Sequence, residues 1–143
     1  VKRERCGGRI PSLRGLVLGM AAGLVLAACG AGREAEAEAL AEDFLADLRA
    51  GAWQAAFGRM HGDFQAACGS ASGLEQRVQA AAVQPKGWSF SSVSAFKHTG
   101  YVEFTLVAGD GGTRHANLDL ERVGGELRVL NWRVEATDLC GEV

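Results

Sequence analysis

Between Tyr101 and Glu135 apolar and polar residues alternate with a period of two, and glycine-rich turns break the alternation twice. Val102, Phe104 and Leu106 share one face of the first run. Ala116, Leu118 and Leu120 share a face of the second, and Leu130, Trp132 and Val134 of the third. Successive side chains of a strand point to opposite faces, so each run has one apolar face to bury. Gly109-Asp110-Gly111-Gly112 and Val123-Gly124-Gly125-Glu126 are hairpin turns, which makes the pairing antiparallel. A sheet that is apolar on one side needs a second layer to cover it.

The strands expected are Trp88–Lys97, Tyr101–Ala108, Thr113–Arg122 and Leu127–Glu135. In the first, Trp88 and Phe90 lie on one face while Val93 and Ala95 are out of phase, a slip that predicts a bulge or bend. The covering layer is expected upstream, where the apolar spacing is helical. A helix over 34–49 places Ala37, Ala41, Phe44, Leu45 and Leu48 on one face, with Gly51 as its stop signal. Glu34, Glu36 and Glu38 then fall in its first turn, where the helix dipole favours negative charge. A second helix from Trp53 aligns Ala56, Phe57, Met60, Phe64 and Ala67, with an interruption at His61-Gly62-Asp63 and an end at Cys68-Gly69-Ser70. A third opens on the capping box Ser72-Gly73-Leu74-Glu75, carries Leu74, Val78, Ala81 and Ala82 as its stripe, and ends at Pro85-Lys86-Gly87. The fold class is therefore α+β: three N-terminal helices packed on a curved four-stranded antiparallel meander.

Ahead of these elements lies a segment of different character. Residues 1–15 are basic, Leu16 to Leu26 form an apolar run, and Leu26-Ala27-Ala28-Cys29 closes it. The run is shorter than the roughly 20 apolar residues of a spanning helix. Gly19 and Gly23 within it read as a glycine-rich signal core, and no Arg-Arg pair precedes it, which points to general secretion. A Leu three residues before a Cys, with small residues between, resembles the lipobox of bacterial lipoprotein signals. The resemblance implies cleavage between Ala28 and Cys29, diacylglyceryl transfer to the Cys29 thiol and further acylation of the new amino group. Two or three buried acyl chains make a durable membrane anchor. Gly30, standing where an aspartate would retain such a protein, implies the outer membrane or cell surface of a bacterial envelope. The organisation expected is a cleaved signal over 1–28, a lipidated cysteine and short flexible tether over 29–33, and one domain over 34–143.

Charge and cysteines divide at the same point. Residues 1–28 carry five basic side chains and one acidic; the remainder carries ten basic and sixteen acidic. A mature domain of net charge −6 argues against nucleic acid as a partner and offers no polybasic patch to anionic lipid. Of the four cysteines, Cys6 falls in the signal and Cys29 takes the lipid. Cys68 and Cys140 remain, and in an exported domain they are expected to pair; two free thiols are the alternative. No Cys-x-x-Cys or Cys/His cluster is present, so structural zinc is not expected, and with no phosphate loop, nucleophile elbow, metal-protease helix or calcium loop in the sequence no cofactor is expected.

Two local patterns give the domain a family likeness. They are Gly51-Ala52-Trp53-Gln54-Ala55-Ala56-Phe57 after the first helix, and the last hairpin from Gly124 through Trp132 to Val134. From about Glu34 to Glu135 the chain is similar to small members of the nuclear-transport-factor-2-like (cystatin-like) fold. Enzymes of that fold place an Asp, His or Tyr inside a cone of strands and helices. Here His115, Asn117, Asp119 and Glu121 share a polar strand face opposite Ala116, Leu118 and Leu120, as Tyr101 and Glu103 oppose Val102 and Phe104. That places the polar set, including His115 with Asp119, away from the helices and in solvent. His61 and Asp63 are the remaining candidates for proton transfer, against the plainer reading of a loop histidine beside a turn aspartate. His98 belongs to a polar turn, and Ser89, Ser91, Ser92 and Ser94 lack a partnered base. Trp53, Phe57, Trp88, Phe104, Leu118 and Trp132 are candidates to line an apolar pocket, or simply to form the core. The leading expectation is a lipid-anchored, non-catalytic domain that binds an envelope protein partner or an apolar small molecule. A small isomerase or hydrolase using His61 and Asp63, and a structural envelope component, are the alternatives.

Overall fold

Strand register organises the molecule. In the computed structural model, which describes residues 28–141, β1 (Gly87–Ala95), β2 (Thr99–Val107), β3 (Thr113–Val123) and β4 (Glu126–Val134) form a meander in sequence order. All neighbours are antiparallel. Of the expected signal segment, residues 1–27, including Leu26 and Ala27, lie outside the described residues, as do the side chains of Ala28 and Cys29. Among the described residues no helix is long and apolar enough to cross a membrane.

A two-residue strand, β5 (Thr137–Asp138), extends the expected four by pairing with Arg133 and Val134. Two residues carry no periodicity, so no alternation could reveal it. The phase slip in β1 is a bulge between Phe90 and Ser92, as expected. A second irregularity changes the expected alignment of β4. Asp119 pairs with Asn131 but Leu120 pairs with Val129, which leaves Leu130 as the extra residue. The bulge reverses the phase, so Val129 is buried alongside Trp132 and Val134, while Leu130 is only half-buried.

Among the described residues four helices accompany the sheet, against the three expected. α1 (Ala28–Ala50) begins six residues earlier than its apolar stripe suggests. The stretch 30–33, expected as a tether, is helical, because alanine and arginine propagate a helix that the later stripe anchors. Its first turn holds no acidic residue, so Glu34, Glu36 and Glu38 are not there to complement the dipole. Gly51 (φ +70°) closes α1 as expected. The Ala52 amide donates to the Asp47 carbonyl (2.8 Å) and the Gly51 amide to Leu48 (3.2 Å), a Schellman cap.

The expected second helix is two, α2 (Trp53–Gly58) and α3 (Gly62–Cys68). Met60 bridges to Val129 between them; the His61 amide donates to the Val129 carbonyl (2.7 Å) and the Val129 amide to that of Arg59 (3.0 Å). Strand-like pairing to the free edge of β4 thus replaces one helical turn. In α4 (Ala71–Ala80) the cap is Ser70, whose Oγ accepts from the Gly73 amide (2.9 Å), two residues before the expected box. Ala82 at φ +55° ends this helix early, so Ala81 and Ala82 are exposed while Leu74 and Val78 are buried.

The core lies between α1 and the inward strand faces. All five expected stripe residues of α1 are fully buried. Phe44 meets Trp132 edge to face, with ring centroids 6.0 Å apart. Cys68 and Cys140 form a disulfide (Cα–Cα 5.1 Å) that ties the chain's C-terminal segment to the end of α3.

Candidate functional site

Among the described residues the interior holds no polar constellation. Phe104, Leu118 and Trp132 are fully buried and fill it. Trp53, Phe57 and Trp88 pack against that core from its margin. Trp88 opens the edge strand and is held there, its Nε1 donating to Glu42 (2.7 Å) and the Arg49 guanidinium lying 4.7 Å from its ring centroid. The Trp132 indole N–H is buried without a partner.

His61 is the N-cap of α3. Its Nδ1 accepts from the Asp63 amide (3.1 Å), and its Nε2 lies 3.4 Å from the Glu121 carboxylate. Nδ1 thereby caps α3, and Nε2 faces a carboxylate of β3. Asp63 is largely exposed. The outward sheet face carries the polar strand residues as expected, with one exception. Asn117, flanked by Glu103 on β2 and Arg133 on β4, is only 8% exposed, and its Nδ2 has no partner. His115 is exposed and does not contact Asp119 in any hydrogen bond or ion pair; its amide donates to Glu135 (3.3 Å). Nearby, burial and the hydrogen bond it donates to Glu103 push the Tyr101 hydroxyl pKa up. Among the described residues no group of His, Cys, Asp and Glu is placed to hold a metal ion.

One surface feature lies where α1, α2 and the β3–β4 turn meet. An open cleft of about 480 Å³ is lined there by Glu36, Leu40, Arg59, Glu126, Leu127 and Arg128, among others. Val123 and Glu126 pair across Gly124 and Gly125, both at positive φ, in the tight turn that two glycines allow. Arg122, just before that turn, donates from Nη1 and Nη2 to the two oxygens of Glu36 (2.9 and 2.6 Å), and also to the carbonyls of Gly125 (2.8 Å) and Lys97 (3.3 Å). This fork holds the Glu36 carboxyl below its ordinary pKa, chiefly by hydrogen bonding, and raises that of Arg122. Arg59 donates to Asp47 (2.6 Å) and Asp43 (3.4 Å), and Arg128 to the Gly58 carbonyl and Glu126. The cleft therefore presents paired charges around an apolar floor of Leu40 and Leu127.

Arg122 was not visible as a site residue in the sequence. Glu36 read as one member of an acidic helix start, and the two residues are 86 positions apart. A second, smaller cleft of about 280 Å³ lies between the end of α4 and the C-terminal segment, with Val83, Val134 and Leu139 on its walls and Arg114 and Asp138 at its rim.

Helices laid across an antiparallel meander in this order define a cystatin-like fold, the nuclear-transport-factor-2-like arrangement. No family model matches the chain, and no curated protein matches it. Among solved structures it is similar to a protein of unknown function with a cystatin-like fold from Nostoc punctiforme, at 14% identity and a TM-score of 0.52, over 71% of this chain and 88% of that one. A looser likeness, at 16% identity and a TM-score of 0.45, is to a phospholipid-binding protein from Ralstonia solanacearum solved with a phospholipid; it covers 76% of this chain and 80% of that one.

Proposed function

We propose that this chain is a lipid-anchored protein of the bacterial cell envelope, whose cystatin-like domain binds a partner and catalyses no reaction. Anchoring is supported by the basic segment, the apolar run and Leu26-Ala27-Ala28-Cys29, which end where the folded domain begins. Export is supported by the Cys68–Cys140 disulfide, a bond that persists in oxidising compartments.

The observation that carries the non-catalytic reading is the filled interior. The place where enzymes of this fold put their acid or base is occupied by Phe104, Leu118 and Trp132, none of it exposed. The enzyme reading is left with His61, whose ring nitrogens cap a helix and face Glu121, and with an exposed Asp63.

The binding surface proposed is the cleft between α1, α2 and the β3–β4 turn, and the partner it suits best is a protein segment. An open cleft with a charged rim and apolar floor fits a chain that presents both kinds of group. A second reading, an apolar small molecule, is favoured by the aliphatic walls of the smaller cleft at Val83, Val134 and Leu139. The test is capture of partners from envelope extracts by the lipidated protein and by Ala55→Arg, since Ala55 is an exposed residue on the wall of the larger cleft. Specific recovery by the unmodified chain, lost in the variant, is expected. Equal recovery by both would move the binding surface elsewhere.

A further inference from the structure

We propose that the two hairpin tips at the start of α1, carrying Phe96 and Val123, insert into the headgroup layer of the membrane and fix the domain's orientation on it. The inference rests on the reading of Cys29 as lipidated, and goes beyond it by assigning a second, protein-borne contact.

Three large hydrophobic side chains stand out as exposed among the described residues: Phe96 at 65%, Val123 at 50% and Val107 at 39%. The two most exposed share one end of the sheet. Phe96 lies in the β1–β2 turn, where its amide donates to the Thr99 carbonyl. Val123 precedes the β3–β4 turn, and the Arg122 amide beside it donates to the His98 carbonyl (2.7 Å). The backbones of the two tips are therefore joined.

The direction of α1 places its start at this same end. Glu36, in the early part of the helix, is gripped by Arg122. Glu42 and Arg49, further along, hold Trp88 at the opposite end of β1. Cys29 lies seven residues before Glu36 on a continuous helix, about 10 Å along its axis at 1.5 Å per residue. An upright helix would hold the tips about that far from the level of Cys29. Tilting α1 toward the sheet brings both tips down to the bilayer surface. An aromatic and a branched aliphatic side chain on adjacent rigid turns are suited to that layer, where one side of a ring is apolar and the other wet. The occupant is a lipid surface because the chain's own anchor, Cys29, lies at this end of α1. The mature domain is acidic, so the contact is apolar and independent of anionic lipid.

The test uses the lipidated full-length product with an environment-sensitive label on His98→Cys, between the tips, or on Asp110→Cys, in the β2–β3 turn at the far end. Cys68 and Cys140 are paired and Cys29 carries lipid, so the introduced thiol takes the label. The protein is mixed with phosphatidylcholine vesicles bearing brominated acyl chains and floated. The result expected is strong quenching at position 98, none at position 110, and loss of quenching at 98 when Phe96→Ser and Val123→Ser are added. An unquenched label at 98 on floated protein overturns the inference and leaves the anchor standing. Quenching that survives the double substitution overturns the role of these two side chains. Protein that stays in solution overturns the anchor itself, and the inference with it.

Discussion

Arg122 holds Glu36 through both of its terminal nitrogens, although the two residues are 86 positions apart in the chain. The same guanidinium reaches the carbonyls of Lys97 and Gly125, so one side chain joins the first helix to two hairpin turns. Forked pairs of this kind hold geometry as well as charge. Arg122→Lys keeps the charge but cannot reproduce the fork. It is expected to lower stability by about 1 kcal/mol, given that the pair is partly exposed. The urea midpoint is the check, and a midpoint equal to that of the unmodified domain would contradict it.

Acid should release this tie and a second one. Hydrogen bonds from Arg122 hold the Glu36 pKa down, and those from Asn131 and then Arg133 hold down that of Asp138. A depressed folded-state pKa means that the stabilisation is complete above the ordinary carboxylate range and is lost as pH falls through the folded value. The unfolding midpoint is expected to be level from neutrality to about pH 5 and to fall below about pH 4. Glu36→Gln with Asp138→Asn should flatten part of that fall. An acid slope identical to the parent's would show that these two carboxylates do not carry it.

The disulfide closes a loop with a sequence separation of 72. In the chain-entropy account such a bond adds about 4 kcal/mol by restricting the unfolded chain. Titration of the exported protein under denaturing conditions without reductant should find neither thiol. Reductant should then lower the midpoint markedly. A domain equally stable in both states would contradict the account.

Asn117 offers a stabilising substitution. Its buried Nδ2 has no partner, and a stranded donor costs free energy. Asn117→Val removes the donor and suits a strand. A gain of about 1 kcal/mol is expected from the thermal or urea midpoint. A loss would mean that the amide is satisfied in solution.

The α+β layering was legible because it is written in periodicity. The stripe Ala37 to Leu48 and the inward faces of β2 and β3 are buried as their spacing requires. Pairing of Cys68 with Cys140 was legible because they are the two cysteines of the expected exported domain that the lipobox reading leaves over. What escaped has local physical causes. Leu130 left the core through a bulge that a single strand's pattern does not reveal. The early start of α1 lies in Gly- and Ala-rich sequence that has no apolar stripe to mark it. The break at Met60 is imposed by β4, a partner distant in sequence. Arg122 is invisible for the same reason: its acceptors are a helix and two turns that only the fold brings together.

The central claim concerns Cys29, and the most direct measurement is the mass of the mature N-terminal peptide together with membrane fractionation of Cys29→Ser. The account predicts a chain that begins at Cys29, carries diacylglyceryl and acyl mass, and leaves the membrane fraction when the thiol is replaced. An unmodified Cys29, or a Cys29→Ser variant that remains on the membrane unchanged, would contradict it.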